Sequence, residues 1–264
     1  MLGAIIGDIA GSRFEFHNRK SKSFALFAPD CRPTDDSIMT LAVASALMEE
    51  GEDIEALGSC AVTWMQRLGR RYPNCGFGGM FRKWIHSNDP QPYGSYGNGA
   101  AMRISPVGFF ACSEEEVKLL SRAVTAVSHD HPEALKGAEA AAMAIYLART
   151  GSDMAAIRER IEQDYYRIDF TLDGIRKTYA FDVSCQGSVP QALEAFFESE
   201  SFEDAIRNAI SIGGDSDTIA AITGGIAEAY YGVPAATAWV AEQYLDSALH
   251  DILSRWREFM KKKA

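Results

Sequence analysis

An all-α fold is predicted by three features of this 264-residue chain. Apolar residues recur at helical spacing over most of its length, capping residues precede several of these segments, and strands do not alternate with helices. Hydrophobic residues make up 47% and charged residues 23% of the chain, which is ordinary for a protein with a packed core. Since no repeat, low-complexity segment or charged linker interrupts residues 1–264, we expect a single domain.

The predicted helices follow one another along the chain. Leu2–Ala10 is apolar with small residues, as in a buried helix. Asp36–Glu49 and Asp53–Leu68 each carry an apolar face. Ser113 precedes three glutamates in the manner of a capping box and so begins a helix, and Pro132–Arg149 is a long Ala-rich helix. Further helices are predicted at Asp153–Glu162, Val189–Ser199, Phe202–Ile212, Asp217–Tyr231, Ala235–Ala248 and His250–Lys262.

Two segments differ from this pattern. Tyr165–Val183 has a β-leaning composition, and we expect an irregular excursion there. Thr218–Val240 is the most apolar stretch, but Glu228 and the breaks at Gly232 and Pro234 favour two consecutive buried helices over a membrane span. The tryptophans lie on apolar helical patterns, so we expect core positions for Trp64, Trp84, Trp239 and Trp256.

The chain is acidic, with 36 Asp and Glu against 26 Lys and Arg and a formal net charge of −10. We therefore expect it to bind neither extended nucleic acid nor an anionic membrane, since both attract basic surfaces. Its five cysteines are dispersed without metal-binding spacing, which is typical of reduced thiols. The first residues lack the basic start of a signal peptide, and we expect a cytoplasmic monomer.

Two acidic segments far apart in the chain repeat one local arrangement. Thr34-Asp35-Asp36 and Asp215-Ser216-Asp217-Thr218 each precede an apolar helix. Either segment alone is typical of a helix cap, because Asp, Ser and Thr accept hydrogen bonds from the first helical amides. Together they offer more carboxylates than two caps can use. If their oxygens converge, they form a cage for hard divalent cations, and Mg²⁺ or Mn²⁺ suits such ligands.

Three further segments are ambiguous by themselves. The loop Gly94–Gly99 can present backbone N–H groups to a phosphate, although loops of Gly, Asn and Ser are usually turns. Ser128–His131 is either a cap before Pro132, with histidines that face solvent, or part of a site, and its HxH spacing has no evident third partner. Glu15 is either a surface charge or a carboxylate that enters a site.

Taken together, these segments resemble the ADP-ribosylglycohydrolase family, which includes the dinitrogenase-reductase-activating glycohydrolases and the ADP-ribosyl-acceptor hydrolases. The matching pieces occur in family order over nearly the whole chain, as GDIAGSRFE, PTDDS, GSYGNGAAMR, SHDHP, GSVPQAL and GGDSDT. The resemblance implies a compact helical fold with a cleft that holds two Mg²⁺ or Mn²⁺ ions. The metal ligands that it implies are Thr34, Asp35, Asp36, Asp215, Asp217 and Thr218.

The resemblance also implies roles for the other segments. Glu15 matches a mobile glutamate that approaches the scissile bond in some members, and Glu15 and Asp36 are our candidates for the general base. His129 matches a histidine that contacts the ligand. Ser37 stands where many members have Thr, and the chain is short, which leaves the acceptor preference open. The loop implied to hold the diphosphate and the distal ribose comprises Gly94, Ser95, Tyr96, Gly97, Asn98 and Gly99.

The expected reaction is metal-dependent hydrolysis of the glycosidic bond between ADP-ribose and an acceptor. Divalent cations can orient the ribose hydroxyls, and nearby anionic oxygens stabilise an oxocarbenium-like transition state. Arginine conjugates of proteins are the favoured substrates, by analogy with bacterial relatives, and serine, poly-ADP-ribose, O-acetyl-ADP-ribose and nucleobase conjugates stay open. The alternatives are a two-metal phosphohydrolase acting on a nucleotide, a non-catalytic ADP-ribose-binding module, and a helical scaffold whose Asp pairs are only caps.

Overall fold

The computed structural model describes residues 1–263, and helices dominate this range. Its β-type pairing is an isolated bridge between Gly97 and Ser184. The predicted all-α class is therefore confirmed. The helices of residues 1–263 are α1 Leu2–Gly11, α2 Asp35–Glu50, α3 Ile54–Arg71, α4 Gly79–His86, α5 Ser105–Phe110, α6 Glu114–Thr125, α7 Pro132–Arg149, α8 Met154–Asp164, α9 Leu172–Ile175, α10 Cys185–Phe197, α11 Phe202–Ser211, α12 Ser216–Tyr231, α13 Ala235–Glu242 and α14 Ser247–Lys263.

The helix predicted over Ala235–Ala248 was wrong in its extent, because α13 ends at Glu242. Asp246 accepts hydrogen bonds from the amides of Ala248 and Leu249 at 2.9 and 3.0 Å, and these bonds start a new helix. Most of α13 lies at the surface. The prediction of two buried helices therefore holds for α12 and was wrong for α13.

Three of the four tryptophans are buried as predicted, namely Trp64, Trp84 and Trp256. Trp239 on α13 is 67% exposed, so its core assignment was wrong. The cause is the surface position of α13, where no neighbouring element among residues 1–263 covers the Trp239 side chain. Within residues 1–263, the five cysteines are free thiols, and no helix is long and apolar enough to cross a membrane.

Short helices escaped prediction because their sequences carry little periodicity. The helices α4, α5 and α9 contain eight, six and four residues, which is too few for a helical pattern to show. The start of α10 was predicted too late, at Val189. In the structure Ser184 caps the amide of Gly187 at 3.1 Å, and Pro190 lies inside the helix.

The packing of α1 on α12 brings the two helix backbones into contact. It also fixes the positions of their acidic residues relative to one another. A Cβ atom at Gly7 would overlap the carbonyl of Ala220, and one at Gly11 would lie 2.5 Å from the Asp217 Cα. Every residue of α1 is buried, including Asp8. The glycines therefore let α1 lie close enough to α12 to place Asp8 beside Asp217.

Substituting Gly7 with Ala is expected to destabilise the protein, because the new methyl group meets backbone that cannot move aside. Overpacking of this kind costs about 2–3 kcal/mol, or roughly 5–10 °C in melting temperature. Thermal unfolding monitored by circular dichroism measures the effect. Gly79→Ala is the matched control, since a Cβ atom there has no neighbour within 4 Å. Equal melting temperatures for the two variants would contradict the close packing of α1 on α12.

Candidate functional site

The two acidic helix starts meet at the floor of one cleft with a volume of about 540 Å³. Thr34 is the N-cap of α2 and Asp215 the N-cap of α12, so both helices point their N-termini into the cleft. Most predicted site residues line its wall, namely Glu15, Asp35, Asp36, Ser95, Gly97, Asn98, Gly99, His129, Asp215, Asp217 and Thr218. Thr34 is buried beneath Asp36, whereas Gly94 and Tyr96 are not part of the wall.

Two groups of three carboxylates lie on this floor, each with ligand atoms within 4.8 Å of one another. One group is Asp8, Asp36 and Asp217, and the other is Glu15, Asp215 and Asp217. Asp217 belongs to both. The predicted ligand Asp35 is outside both groups and lies against Gly76 at the edge of the cleft. Each group offers the all-oxygen environment that hard divalent cations prefer.

Asp8 was not identified as a site residue from the sequence. It accepts hydrogen bonds from the amide and hydroxyl of Thr34 at 2.9 and 2.6 Å, from the Ser37 amide at 3.1 Å and from the Ser37 hydroxyl. The sequence does contain a signal that could have identified it, namely a charged residue inside the apolar segment Leu2–Ala10. Asp8 holds Thr34 and the start of α2 in place, and its oxygens are already well supplied with donors.

Asp36 is left with an oxygen that suits a cation. Its Oδ2 accepts from the Thr218 hydroxyl at 3.3 Å and lies 3.2 Å from the Thr34 hydroxyl, whose proton is directed to Asp8. Its Oδ1 is buried and meets no donor among residues 1–263. Buried polar atoms are rarely left without a partner. The donor set therefore fits a divalent cation, which would take the Oδ1 lone pairs.

The electrostatics of the floor also favour a cation. Burial, reinforced by neighbouring carboxylates, raises the pKa of Asp36 and Asp217 well above the usual value for aspartate. Burial and the nearby charge of Asp215 raise the pKa of Glu15 to about 7, and burial with Asp8 raises that of Asp35 to about 7. These shifts show that the ionised carboxylates are under strain without a positive charge between them.

The Gly94–Gly99 loop uses part of its backbone to hold itself in place. The amide of Gly94 donates to Asp130 at 2.7 Å, that of Gly97 to the Ser95 hydroxyl at 3.2 Å, and that of Asn98 to the Val183 carbonyl at 2.7 Å. These amides are already engaged. Within residues 1–263, the loop amides left without an internal acceptor are those of Ser95, Tyr96 and Gly99.

The Asn98 side chain joins this loop to the acidic floor. Its amide nitrogen donates to Asp215 Oδ2 at 2.7 Å and to the Ser188 hydroxyl at 3.0 Å. Ser188 had no predicted role, although the motif GSVPQAL contains it. Tyr96 points outward, 52% exposed, with its ring 5.4 Å from that of His131. The loop thus approaches the floor through Asn98 rather than through Tyr96.

His129 is a buried wall residue, which excludes the solvent-facing alternative for this histidine. Its ring lies 5.6 Å from Tyr93, and its Nδ1 is 2.8 Å from the Ser128 hydroxyl. Burial and the charge of Arg103 hold its pKa well below the usual value, so the ring is neutral. His131 instead caps α7, accepting from the Glu133 amide at 3.1 Å. The two histidines of the HxH motif therefore have different roles: His129 lines the cleft, and His131 caps α7.

Arg103 is a fully buried cation for which the sequence suggested no role. It donates to the Ser128 hydroxyl at 2.8 Å, and its guanidinium lies 5.4 Å from the ring centre of Phe81. Burial lowers its pKa to about 10, so it stays charged near neutral pH. It is the buried positive charge in the cleft wall, close to where the loop approaches the floor.

The segment that carries Glu15 is tied to the Asp215 turn by Asn18. Its side-chain nitrogen donates to the carbonyls of Phe14, Glu15 and Gly214 at 2.9, 3.0 and 2.9 Å, and its Oδ1 accepts from the Gly214 amide at 2.8 Å. Gly214 has a φ of +75°, a conformation that glycine adopts readily. Asn18 therefore couples the position of Glu15 to the loop that presents Asp215.

Replacing Asn18 with Ala is expected to lower kcat about 10- to 100-fold with little change in KM. The reason is that Glu15 and Asp215 lose their common support, whereas the substituted side chain itself is exposed and outside the core. Steady-state kinetics with an ADP-ribose conjugate measure both constants. His17→Ala serves as the neighbouring control. An unchanged kcat for Asn18→Ala would show that Glu15 is positioned by other contacts.

The family model for ADP-ribosylglycohydrolase matches residues 1–262. The chain belongs to this family. The predicted family and hydrolase class are thereby confirmed, whereas the acceptor is not determined. A solved structure described as an ADP-ribosylglycohydrolase-related protein complex superposes with a TM-score of 0.68 at 24% identity, covering 97% of this chain and 96% of the other. This likeness confirms the predicted helical family fold.

Three named relatives act on ADP-ribose conjugates, and the names of two of them specify the acceptor. The chain is 24% identical to mouse ADP-ribosylhydrolase ARH3, with 88% of this chain and 83% of the relative aligned. It is 27% identical to the ADP-ribosylarginine hydrolase Tri1 of Pseudomonas putida, with 88% and 70% aligned. It is 25% identical to the ADP-ribosyl-[dinitrogen reductase] glycohydrolase of Rhodospirillum rubrum, with 88% and 84% aligned.

Proposed function

We propose that this protein uses two Mg²⁺ or Mn²⁺ ions to hydrolyse the bond between ADP-ribose and an arginine-type acceptor on a protein. The observation that carries the proposal is the pair of carboxylate groups that share Asp217 at the floor of the cleft. A shared carboxylate is the arrangement that allows two cations to lie about 4 Å apart. Helix caps alone do not require the two groups to converge.

The proposed ligands are those implied by the sequence: Thr34, Asp35, Asp36, Asp215, Asp217 and Thr218. Asp8 and Glu15 complete the two carboxylate groups and add negative charge beside these ligands. The oxygens of Asp8 also accept four hydrogen bonds from Thr34 and Ser37, so Asp8 supports the set. Asp36 offers the unpaired Oδ1. When bound, the ions would orient the ribose hydroxyls and offset negative charge on the substrate.

Glu15 is the better of the two candidates for the general base. Asp36 is buried and already accepts from the Thr218 hydroxyl, whereas Glu15 is only half-buried and faces the cleft. Glu15 can therefore meet a water molecule in the cleft and take a proton from it. Its negative charge also stabilises an oxocarbenium-like transition state.

The opposite wall is suited to the diphosphate. The amides of Ser95 and Gly99 supply donors, and the fully buried Arg103 supplies positive charge in the same cleft lining. His129, neutral and buried, offers a ring nitrogen that faces Gly99. Gly94, Gly97 and Asn98 are then proposed to act indirectly, since their amides donate hydrogen bonds within the protein that fix the conformation of the loop.

The arginine acceptor is supported by one bacterial relative and by charge. Tri1 is named an ADP-ribosylarginine hydrolase, and a guanidinium suits a cleft lined by the carboxylates of Glu15 and Asp35. We further propose a monomer, since both carboxylate groups come from one chain. The free cysteines fit a reducing cytoplasm.

A panel of conjugates tests the proposal. Purified protein with Mg²⁺ is incubated with ADP-ribosyl-arginine, ADP-ribosyl-serine, poly-ADP-ribose, O-acetyl-ADP-ribose and a nucleobase conjugate, and free ADP-ribose is quantified. The highest kcat/KM is expected for ADP-ribosyl-arginine. Release of phosphate or AMP would instead indicate a phosphohydrolase, and tight ADP-ribose binding without cleavage of any conjugate would indicate a binding module.

A further inference from the structure

Large apolar side chains that face solvent are concentrated at the mouth of the cleft. Among residues 1–263, eight large hydrophobic side chains are exposed. Four of these line the cleft, namely Phe16, Met80, Phe181 and Val183. Scattered exposed apolar residues are ordinary, but a group of them around an acidic floor is typical of a ligand-binding surface.

Phe16 and Phe181 are the two aromatic residues of this group. They are 73% and 47% exposed, and their rings stack with centroids 6.0 Å apart and planes inclined by 25°. Phe16 directly follows Glu15, and Phe181 belongs to the irregular segment before α10. The aromatic pair therefore lies in the cleft wall together with the proposed general base, Glu15.

The aromatic pair is not required to anchor its two segments. Asn18 already ties the Glu15 segment to Gly214. The Lys20 ammonium donates to the Tyr179 carbonyl at 2.6 Å and to the Ile212 carbonyl, which joins the same two segments. Because these polar contacts hold the backbone, two mostly exposed rings add little to its position. Their exposure is instead explained by contact with a ligand.

The spacing of the rings determines where such a ligand lies. A planar group inserted between two rings needs about 3.5–4 Å on each side, which exceeds the observed separation of 6.0 Å. A ligand therefore stacks on an outer ring face. A carboxylate belongs to the same part of the cleft, since Glu15 precedes Phe16 and lines the cleft with both rings. The Asp182 carboxylate instead accepts from the Ser184 amide at 2.8 Å and lies against Gly187. A flat cation satisfies both the aromatic surface and the charge.

From this geometry we propose that Phe16 and Phe181 form an acceptor platform, on which the guanidinium of an arginine-type acceptor stacks during cleavage. The proposal rests on the proposed function and names the residues that set its acceptor preference. A serine acceptor has neither a planar group nor a charge to place on the rings. The platform therefore discriminates between the two classes of conjugate. The floor and the Gly94–Gly99 loop bind the ADP-ribose part of both conjugates in the same way.

The test compares Phe16→Leu, Phe181→Leu and the double variant with the unmodified protein. Leucine keeps an apolar side chain and removes the aromatic face. The expected result is a loss in kcat/KM of about 5- to 30-fold for ADP-ribosyl-arginine, with less than about a twofold change for ADP-ribosyl-serine. The affinity for free ADP-ribose, measured by calorimetry with Mg²⁺, stays unchanged. Trp239→Leu is the control, since Trp239 is 67% exposed and outside the cleft wall.

Three results would overturn the acceptor platform. Equal losses for arginine and serine conjugates would show that the rings support Glu15 rather than the acceptor. Weaker binding of free ADP-ribose would show that they contact the ADP-ribose part. Unchanged kinetics for the double variant, in a protein that does cleave ADP-ribosyl-arginine, would rule out the acceptor platform and leave the proposed function intact. Failure of the unmodified protein to cleave any conjugate would remove the proposed function itself.

Discussion

Replacing Asp217 with Asn is expected to reduce ADP-ribose release at least about 100- to 1000-fold. Asp217 is the carboxylate common to both groups on the floor, so one substitution weakens both proposed cation positions. Asparagine keeps the shape of the side chain and removes its charge. The measurement is kcat/KM for ADP-ribosyl-arginine at saturating Mg²⁺, together with the stoichiometry of Mn²⁺ bound per chain.

The fold is expected to survive this substitution. Because burial and neighbouring carboxylates raise the pKa of Asp217 well above its usual value, the ionised side chain opposes folding in metal-free protein. The variant should therefore melt no lower than the unmodified protein in excess chelator. Asp53→Asn is the matched control, because Asp53 caps α3 outside the cleft and Asn also caps helices. Activity above a tenth of the normal value in Asp217→Asn would contradict its role as a metal ligand.

Removal of divalent cations is expected to abolish turnover and to lower the melting temperature. A ligand that binds only the folded state at 100 times its Kd stabilises it by about 2.7 kcal/mol. Adding Mg²⁺ or Mn²⁺ to chelated protein should restore both properties, and Na⁺ at equal ionic strength should not. Full activity in excess chelator would rule out the two-ion proposal.

The stability of the metal-free protein should also depend on pH in an unusual way. The pKa values of Glu15 and Asp35 are raised to about 7, so these groups hold more protons in the folded than in the unfolded state between about pH 4 and 7. Their contribution to stability is full below pH 4 and is lost as the pH rises through 7. In chelator, the melting temperature should therefore fall from pH 5 to pH 7.5 more steeply in the unmodified protein than in Asp35→Asn. Parallel curves would contradict the raised pKa values.

Electrostatics reconcile the acidic chain with an anionic ligand. The net charge of −10 excludes an extended polyanion, but it does not describe the cleft. There, carboxylates are gathered on the floor, and the buried Arg103 lies in the wall near the Gly94–Gly99 loop. Bound cations would reverse the local field at the floor. A small diphosphate is then compatible with an acidic protein.

Much of the fold could be predicted because helices depend on local pattern. Helix α7 was predicted at its observed bounds, Pro132–Arg149, since Pro at the first position and a run of alanines are local signals. Helices α4 and α5 could not be predicted, because short helices form only where neighbouring elements cover them. The exposure of Trp239 could not be predicted for the same reason: burial depends on what packs against a face.

The sequence by itself determined the helical class, the two acidic helix starts and the motifs that resemble the family, because capping, periodicity and residue chemistry are properties of short segments. Only the tertiary structure decided which carboxylates meet. The close approach of α1 to α12 at Gly7 and Gly11 placed Asp8 beside Asp217, and the Asn18 contacts brought Glu15 to Asp215. Those distances depend on backbone contacts between segments far apart in the chain, which no local pattern encodes.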